Sequence, residues 1–190
     1  NDNSMMKKTF LILAAALSGV LAAGAQTGRE WQDPAVNEIN RLPMRSSFAA
    51  GERLSLDGVW KFHWVRNASE RPSGIGAVDY DDAAWGSMPV PGMWELNGYG
   101  DPVYVNIGYA WRGNFRNDPP YVPDAENHVG SYRRTFDIPA SWGGKDIFLS
   151  IGSATSNVYV WVNGRFVGYS EDSKLEAEFD VTRYITPGRD

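Results

Sequence analysis

Residues 157–170 read NVYVWVNGRFVGYS, and the Asn163-Gly164 pair at their centre restricts the fold more than any other feature. Val158, Val160 and Val162 alternate with Tyr159 and Trp161, so successive side chains take opposite faces of a strand. A type I′ turn needs positive φ at both central residues, which Asn tolerates and Gly adopts freely. Phe166, Val167 and Tyr169 then carry the chain back. The spacing predicts an antiparallel hairpin late in the chain.

The rest of the chain repeats this short-strand pattern. In residues 54–65, Val59, Lys61, His63 and Val65 alternate with Trp60, Phe62 and Trp64, which predicts a strand with His63 on its solvated face. Residues 67–84 are polar and contain Gly and Pro, predicting a loop with one helical turn over 79–85. Residues 88–94, MPVPGMW, are extended but poor as a central strand, because proline cannot donate to the ladder. Residues 130–139 and 145–152 read as strands on either side of a Ser-Trp-Gly-Gly turn, and 178–181 as a further short one. Residues 31–50 have no clean period and read as an arm laid over the body. Residues 95–124 form a long irregular loop rich in Gly, Pro and aromatics, a kind that is usually functional. Many short strands separated by turns predict an all-β, antiparallel β-sandwich.

The ends set the domain limits. Lys7 and Lys8 precede an apolar run from Phe10 to Leu21, and Ala23-Gly24-Ala25 offers a small-residue cleavage site. Residues 1–25 are therefore read as a signal peptide behind a short upstream extension, making the protein periplasmic or secreted. The apolar run is too short for the roughly 20 residues of a bilayer span, so no membrane partner is expected. Residues 26–50 are then the arm and 51–190 the sandwich. The turn at 186–190, with no strand after it, reads as a sandwich truncated at its C-terminal end.

Most reaction classes lack their parts. A net charge of −5 is the wrong sign for nucleic acid. With no Cys and only two His, an ordinary zinc site, a disulfide and a Cys nucleophile are excluded. Neither a phosphate-binding Gly loop nor a G-x-S-x-G elbow is present. No carboxylate stands in a context that reads as buried or paired for acid–base work. From the residues alone this is a β-sandwich with an unnamed ligand.

Residues 30–189 also carry a resemblance. EWQDPAVNEINRLP, SLDGVWKFHWV, PVYVN, PPYVP, GSYRRTFDIP and VNGRFVGYSEDSKLEAEFD follow one another in the order of the sugar-binding domain of glycoside hydrolase family 2. Together they resemble that family's large β-galactosidases. The resemblance implies a jelly-roll or galactose-binding-like sandwich that is the front part of an enzyme hydrolysing terminal β-D-galactosides. It implies a retaining mechanism by two Glu about 5 Å apart, both on a (β/α)8 barrel outside this chain, so that the fragment alone is inactive. The implied partners are a β-galactoside sugar, the remaining domains of the same protein, and further copies in a homo-oligomer.

Asn106 matches the family's Asn that hydrogen-bonds the galactosyl unit. Its amide offers donor and acceptor together without a charge, although a turn Asn bonding its own loop is the alternative. The resemblance also implies a peripheral magnesium held by Glu30, Asp33, the Val36 carbonyl and Glu171, hard oxygen ligands for a hard cation. Asp33 and Glu171 depart from the amides of some relatives, and solvated surface carboxylates remain the alternative. Other magnesium and sodium ligands of the family belong mostly to the barrel. A free-standing carbohydrate-binding module and a structural docking domain are the rival readings.

Overall fold

The computed structural model describes residues 26–44, 51–101, 118 and 120–189. The Asn163-Gly164 turn forms as the spacing requires, with φ of 48° and 79°. It joins β6 (Asn157–Val162) to β7 (Arg165–Glu171), with a register irregularity between Val160 and Trp161. The arm contributes β1 (Glu38–Ile39), which pairs antiparallel with β7, so this sheet runs β1-β7-β6. A second sheet runs β3-β2-β4, from Gly86–Val90, Gly58–Val65 and Val129–Arg133. The third pairs β5 (Phe148–Ile151) with β8 (Ala177–Asp180). All pairings are antiparallel and the described residues contain no α-helix, only five short 3₁₀ turns. The chain is an all-β, antiparallel sandwich.

Two apolar clusters follow from strand alternation. Val160 and Val167 of the hairpin meet Ala177 and Phe179 of β8, with Ile138, Ile147, Val181 and Tyr184 closing the cluster. The second lies on β2: Phe62, 1% exposed, packs against Tyr99, Tyr132 and Trp94 at ring separations of 4.7, 4.6 and 6.4 Å. Met88 of β3 is fully buried. β3 holds Pro89 and sits at the sheet edge, where a missing N–H leaves no gap in a ladder.

Three expectations are corrected. The helical turn over 79–85 is absent; those residues form turns, and the 3₁₀ turn of this loop lies earlier, at Ala68–Glu70. His63 is half-buried rather than solvated, its ring stacked on Trp85 at 5.4 Å and 24°. The loop that carries Trp85 folds back over that face of β2, which strand alternation cannot foresee. One carboxylate, Glu30, is buried and fully hydrogen-bonded, contrary to the expectation that none would be.

Arg133 of β4 holds the covering loop down. Its Nε donates to Asp82 Oδ2 at 2.9 Å, its guanidinium to the carbonyls of Ile75 and Ala77, and its charge lies 5.3 Å from the Tyr80 ring centre. The same loop reaches the hairpin, where the Gly76 backbone lies against the Trp161 ring. Arg133→Ala is expected to strand these acceptors and cost about 1.5–3 kcal/mol, as charged hydrogen bonds do. Thermal melting should show the loss, and limited proteolysis should move to residues 72–85.

Candidate functional site

The arm meets the body at a carboxylate. The 3₁₀ turn Glu30–Gln32 opens with Glu30, which is 3% exposed. Burying an ionised carboxylate costs several kcal/mol unless donors surround it, and here they do. Oε1 accepts from the Thr27 backbone N–H at 2.5 Å, the Thr27 hydroxyl at 3.1 Å and the Gly28 N–H at 3.3 Å. Oε2 accepts from the Tyr159 hydroxyl at 2.7 Å, across 129 residues of sequence. Burial pushes the Glu30 pKa up, but the bonds from Tyr159 and Thr27 outweigh it and hold the group below its ordinary value.

Tyr159 lies 4.6 Å from Tyr169, ring to ring, and the Tyr169 hydroxyl donates to Glu171 Oε1 at 2.5 Å. Burial and the bonded carboxylates push both tyrosine pKa values up, so both hydroxyls stay protonated and donating. Arg41 completes the junction. It donates to the Ser170 hydroxyl at 3.2 Å and the Glu171 carbonyl at 3.4 Å, and forms an ion pair with Glu38.

The four residues matched to a peripheral magnesium are thus only partly brought together. Glu30 and Glu171 flank one tyrosine pair. Asp33 Oδ1 instead accepts from the Ala35 N–H at 3.0 Å, and the Val36 N–H bonds the Asp33 carbonyl at 2.9 Å, a local turn feeding β1. Among the described residues, no group of three or more His, Cys, Asp or Glu side chains is arranged to hold a metal ion. Glu30 Oε1 takes three donors and its Oε2 one, the Tyr159 hydroxyl, while Glu171 Oε1 takes the Tyr169 hydroxyl. Asn106 lies outside the described residues. Tyr159 and Tyr169, the partners of both carboxylates, were not singled out from the sequence. Strand alternation gives them a face but names no partner so distant.

Residues 54–190 match the sugar binding domain of glycosyl hydrolases family 2. The chain belongs to glycosyl hydrolase family 2. Within the family it is similar to a β-galactosidase of Halalkalibacterium halodurans, 41% identical over 170 residues, which are 83% of this chain and 17% of that protein. A β-galactosidase of Priestia megaterium is 42% identical over 134 residues, 70% of this chain and 13% of the relative. A β-galactosidase large subunit of Leuconostoc lactis is 36% identical over 184 residues, 84% of this chain and 29% of the relative. The chain therefore spans between about an eighth and a third of these relatives. Among solved structures, the β-glucuronidase of Ruminococcus gnavus in complex with D-glucuronic acid superposes with a TM-score of 0.53 at 24% identity, covering 78% of this chain and 22% of that one. At that identity the likeness speaks for the sandwich alone. The buried carboxylate of the arm, Glu30, precedes the residues matched to the family-2 domain.

Proposed function

We propose that the chain is the sugar-binding part of a longer, exported, retaining β-galactosidase. The observation that carries this reading is 41–42% identity to two proteins named β-galactosidase over most of the chain. In this reading the domain positions the galactosyl unit and the catalytic Glu pair stands on a barrel elsewhere in the protein, where magnesium and sodium would also bind. Asn106, in Tyr104-Val105-Asn106, reaches the barrel mouth and bonds galactosyl hydroxyls. The whole protein assembles as a homo-oligomer.

The first test is activity. The full-length protein should hydrolyse nitrophenyl β-galactoside and release the β anomer of galactose first, as seen by proton NMR, because double displacement retains configuration. The 190-residue chain alone should give only the buffer rate. Hydrolysis of a β-glucuronide with no activity on the galactoside would overturn the substrate assignment.

Asn106→Ala in the full-length enzyme should lower kcat/KM by roughly 2- to 13-fold, the equivalent of one neutral hydrogen bond, with an unchanged melting curve. Asn97→Ala is the control. Its amide donates to the Met93 carbonyl at 2.8 Å and closes the 3₁₀ turn Trp94–Asn97, so it should lower stability slightly and leave the kinetics alone. Wild-type kinetics for Asn106→Ala would remove the loop from the sugar site.

A further inference from the structure

Among the described residues, β4 ends the β3-β2-β4 sheet and β6 ends the β1-β7-β6 sheet, so each is paired on one side only. Every residue of β4 and of β6 lines one cleft between those sheets, whereas no residue of β7 does, and of β2 only Trp60 and Lys61. A strand that turns a face to a cleft shows it alternate side chains, while one that turns an edge to it shows every residue. Strands β2 and β7 have neighbours on both sides, so the contrast marks β4 and β6 as bare edges with unpaired N–H and C=O groups. Leu149, Ile151, Val158 and Val162 pack on the apolar cluster but are only partly buried, and they line the same cleft. The cleft lacks both backbone partners along its edges and apolar cover over its floor.

The last described residues run to the mouth of this cleft. The Val181 N–H bonds the Ile147 carbonyl at 2.9 Å, beside the start of β5. Three residues on, the Asn163 side chain donates to the Tyr184 carbonyl at 2.9 Å, just past the end of β6. The Gly188 N–H then bonds the Ile138 carbonyl at 2.9 Å, five residues past the end of β4. The path leaves β5 and arrives between the C-terminal ends of the two bare edges, where Arg189 lines the cleft. We propose that the segment following Asp190 in the longer protein enters this cleft as a strand, paired on one side with β4 and on the other with β6, and so joins the two sheets into one. This rests on the reading that the chain is part of a longer protein, and not on that protein's substrate. A strand that starts at the C-terminal ends of β4 and β6 runs antiparallel to both, as every other pair in the fold does. The five residues of β4 and six of β6 set its length. Val158, Val160 and Val162 share the face of β6 that meets the apolar cluster, so alternate residues of the new strand on that face are apolar and cover Leu149 and Ile151.

The test is hydrogen exchange on the full-length protein, followed by mass spectrometry, beside a full-length variant in which the segment after Asp190 is replaced by Gly and Ser. In the unaltered protein, peptides covering β4 and β6 should be as protected as those covering β2 and β7. In the variant they should exchange at least about tenfold faster, with β3, on the far side of its sheet, unchanged. A crystal structure of the unaltered full-length protein is the second measurement and does not depend on the variant folding; it should show the segment bonded to both strands. Exchange of β4 and β6 at open-edge rates in the unaltered protein would overturn the proposal, as would unchanged exchange in the variant. So would a structure in which β4 and β6 pair directly, in which residues 102–117 or a second copy fill the cleft, or in which the segment pairs with β5 instead. The galactoside assay on the same protein reads the substrate separately. An active galactosidase with two open edges overturns only this inference, and protected edges in a protein without that activity overturn only the substrate assignment.

Discussion

Phe179→Ala is expected to bring the protein close to unfolding. Phe179 is fully buried on β8, where it pairs with Leu149 of β5 and bridges to Arg41 of the arm. It belongs to the apolar cluster that joins the hairpin to the β5–β8 pair, and its ring edge also lies against the Gly168 backbone. Truncating a buried phenylalanine costs about 3–5 kcal/mol in lost transfer energy and residual cavity. A domain of this size has roughly 5–15 kcal/mol in total. The melting temperature should fall by roughly 6–20 °C. Phe179→Leu, which keeps most of the volume, should recover more than half of the loss, as volume-conserving exchanges do. A drop below about 2 °C for Phe179→Ala would mean that the hairpin sheet and the β5–β8 pair do not share this cluster.

The second large effect should come from a single methyl group. Gly168 is buried in β7, opposite Val160. A Cβ there would stand 2.3 Å from the Ile39 carbonyl oxygen and 2.7 Å from a ring carbon of Phe179. Neither neighbour can give way cheaply, since one is backbone in β1 and the other a ring fixed in the apolar cluster. Gly168→Ala is therefore expected to cost about 3 kcal/mol, the upper end for overpacking. Because the clash is with the arm, hydrogen exchange should show β1 released from β7 before the β6–β7 hairpin weakens. Gly152→Ala is the matching control: nothing lies within 4 Å of its Cβ position. The same loss at both glycines would show that the backbone preferences of glycine, not the close approach of the arm, govern the result.

These two sites and the tyrosine pair meet in one place. Arg41, Phe179, Gly168, Tyr169 and Glu30 all lie where the arm crosses the hairpin, so arm docking and core packing are coupled there. Changes at the core should be read out in the arm, and changes at Glu30 should be felt in the hairpin. Arg133 secures the 72–85 loop on the second sheet, and that loop reaches the same hairpin, where Gly76 lies against the Trp161 ring. That ring stacks on Tyr159 at 5.9 Å, so the loss of Arg133 should be felt there as well.

The local chemistry of the sequence was enough for the hairpin, the strands and the family. Asn163-Gly164 admits one tight turn, and the alternation on either side fixes which residues share a face. The β2 alternation likewise separates Phe62 from His63, and the proline in β3 is compatible with an edge position. Ordered runs such as PVYVN and VGYSEDSKLEAEFD identify family 2, because so long a set of residues does not recur by chance in unrelated sandwiches. Periodicity stops at the strand, however: it says that a face is covered or bare relative to its neighbours, not which distant segment covers it. Only the tertiary structure decided that the loop carrying Trp85 covers His63, and that a methyl group at Gly168 would strike the arm. It alone decided that Glu30, an acidic residue in an unpatterned arm, is buried against Tyr159 of a strand 129 residues further on. A buried charge is tolerated only where donors converge on it, and that convergence exists only once the arm and the hairpin are folded together.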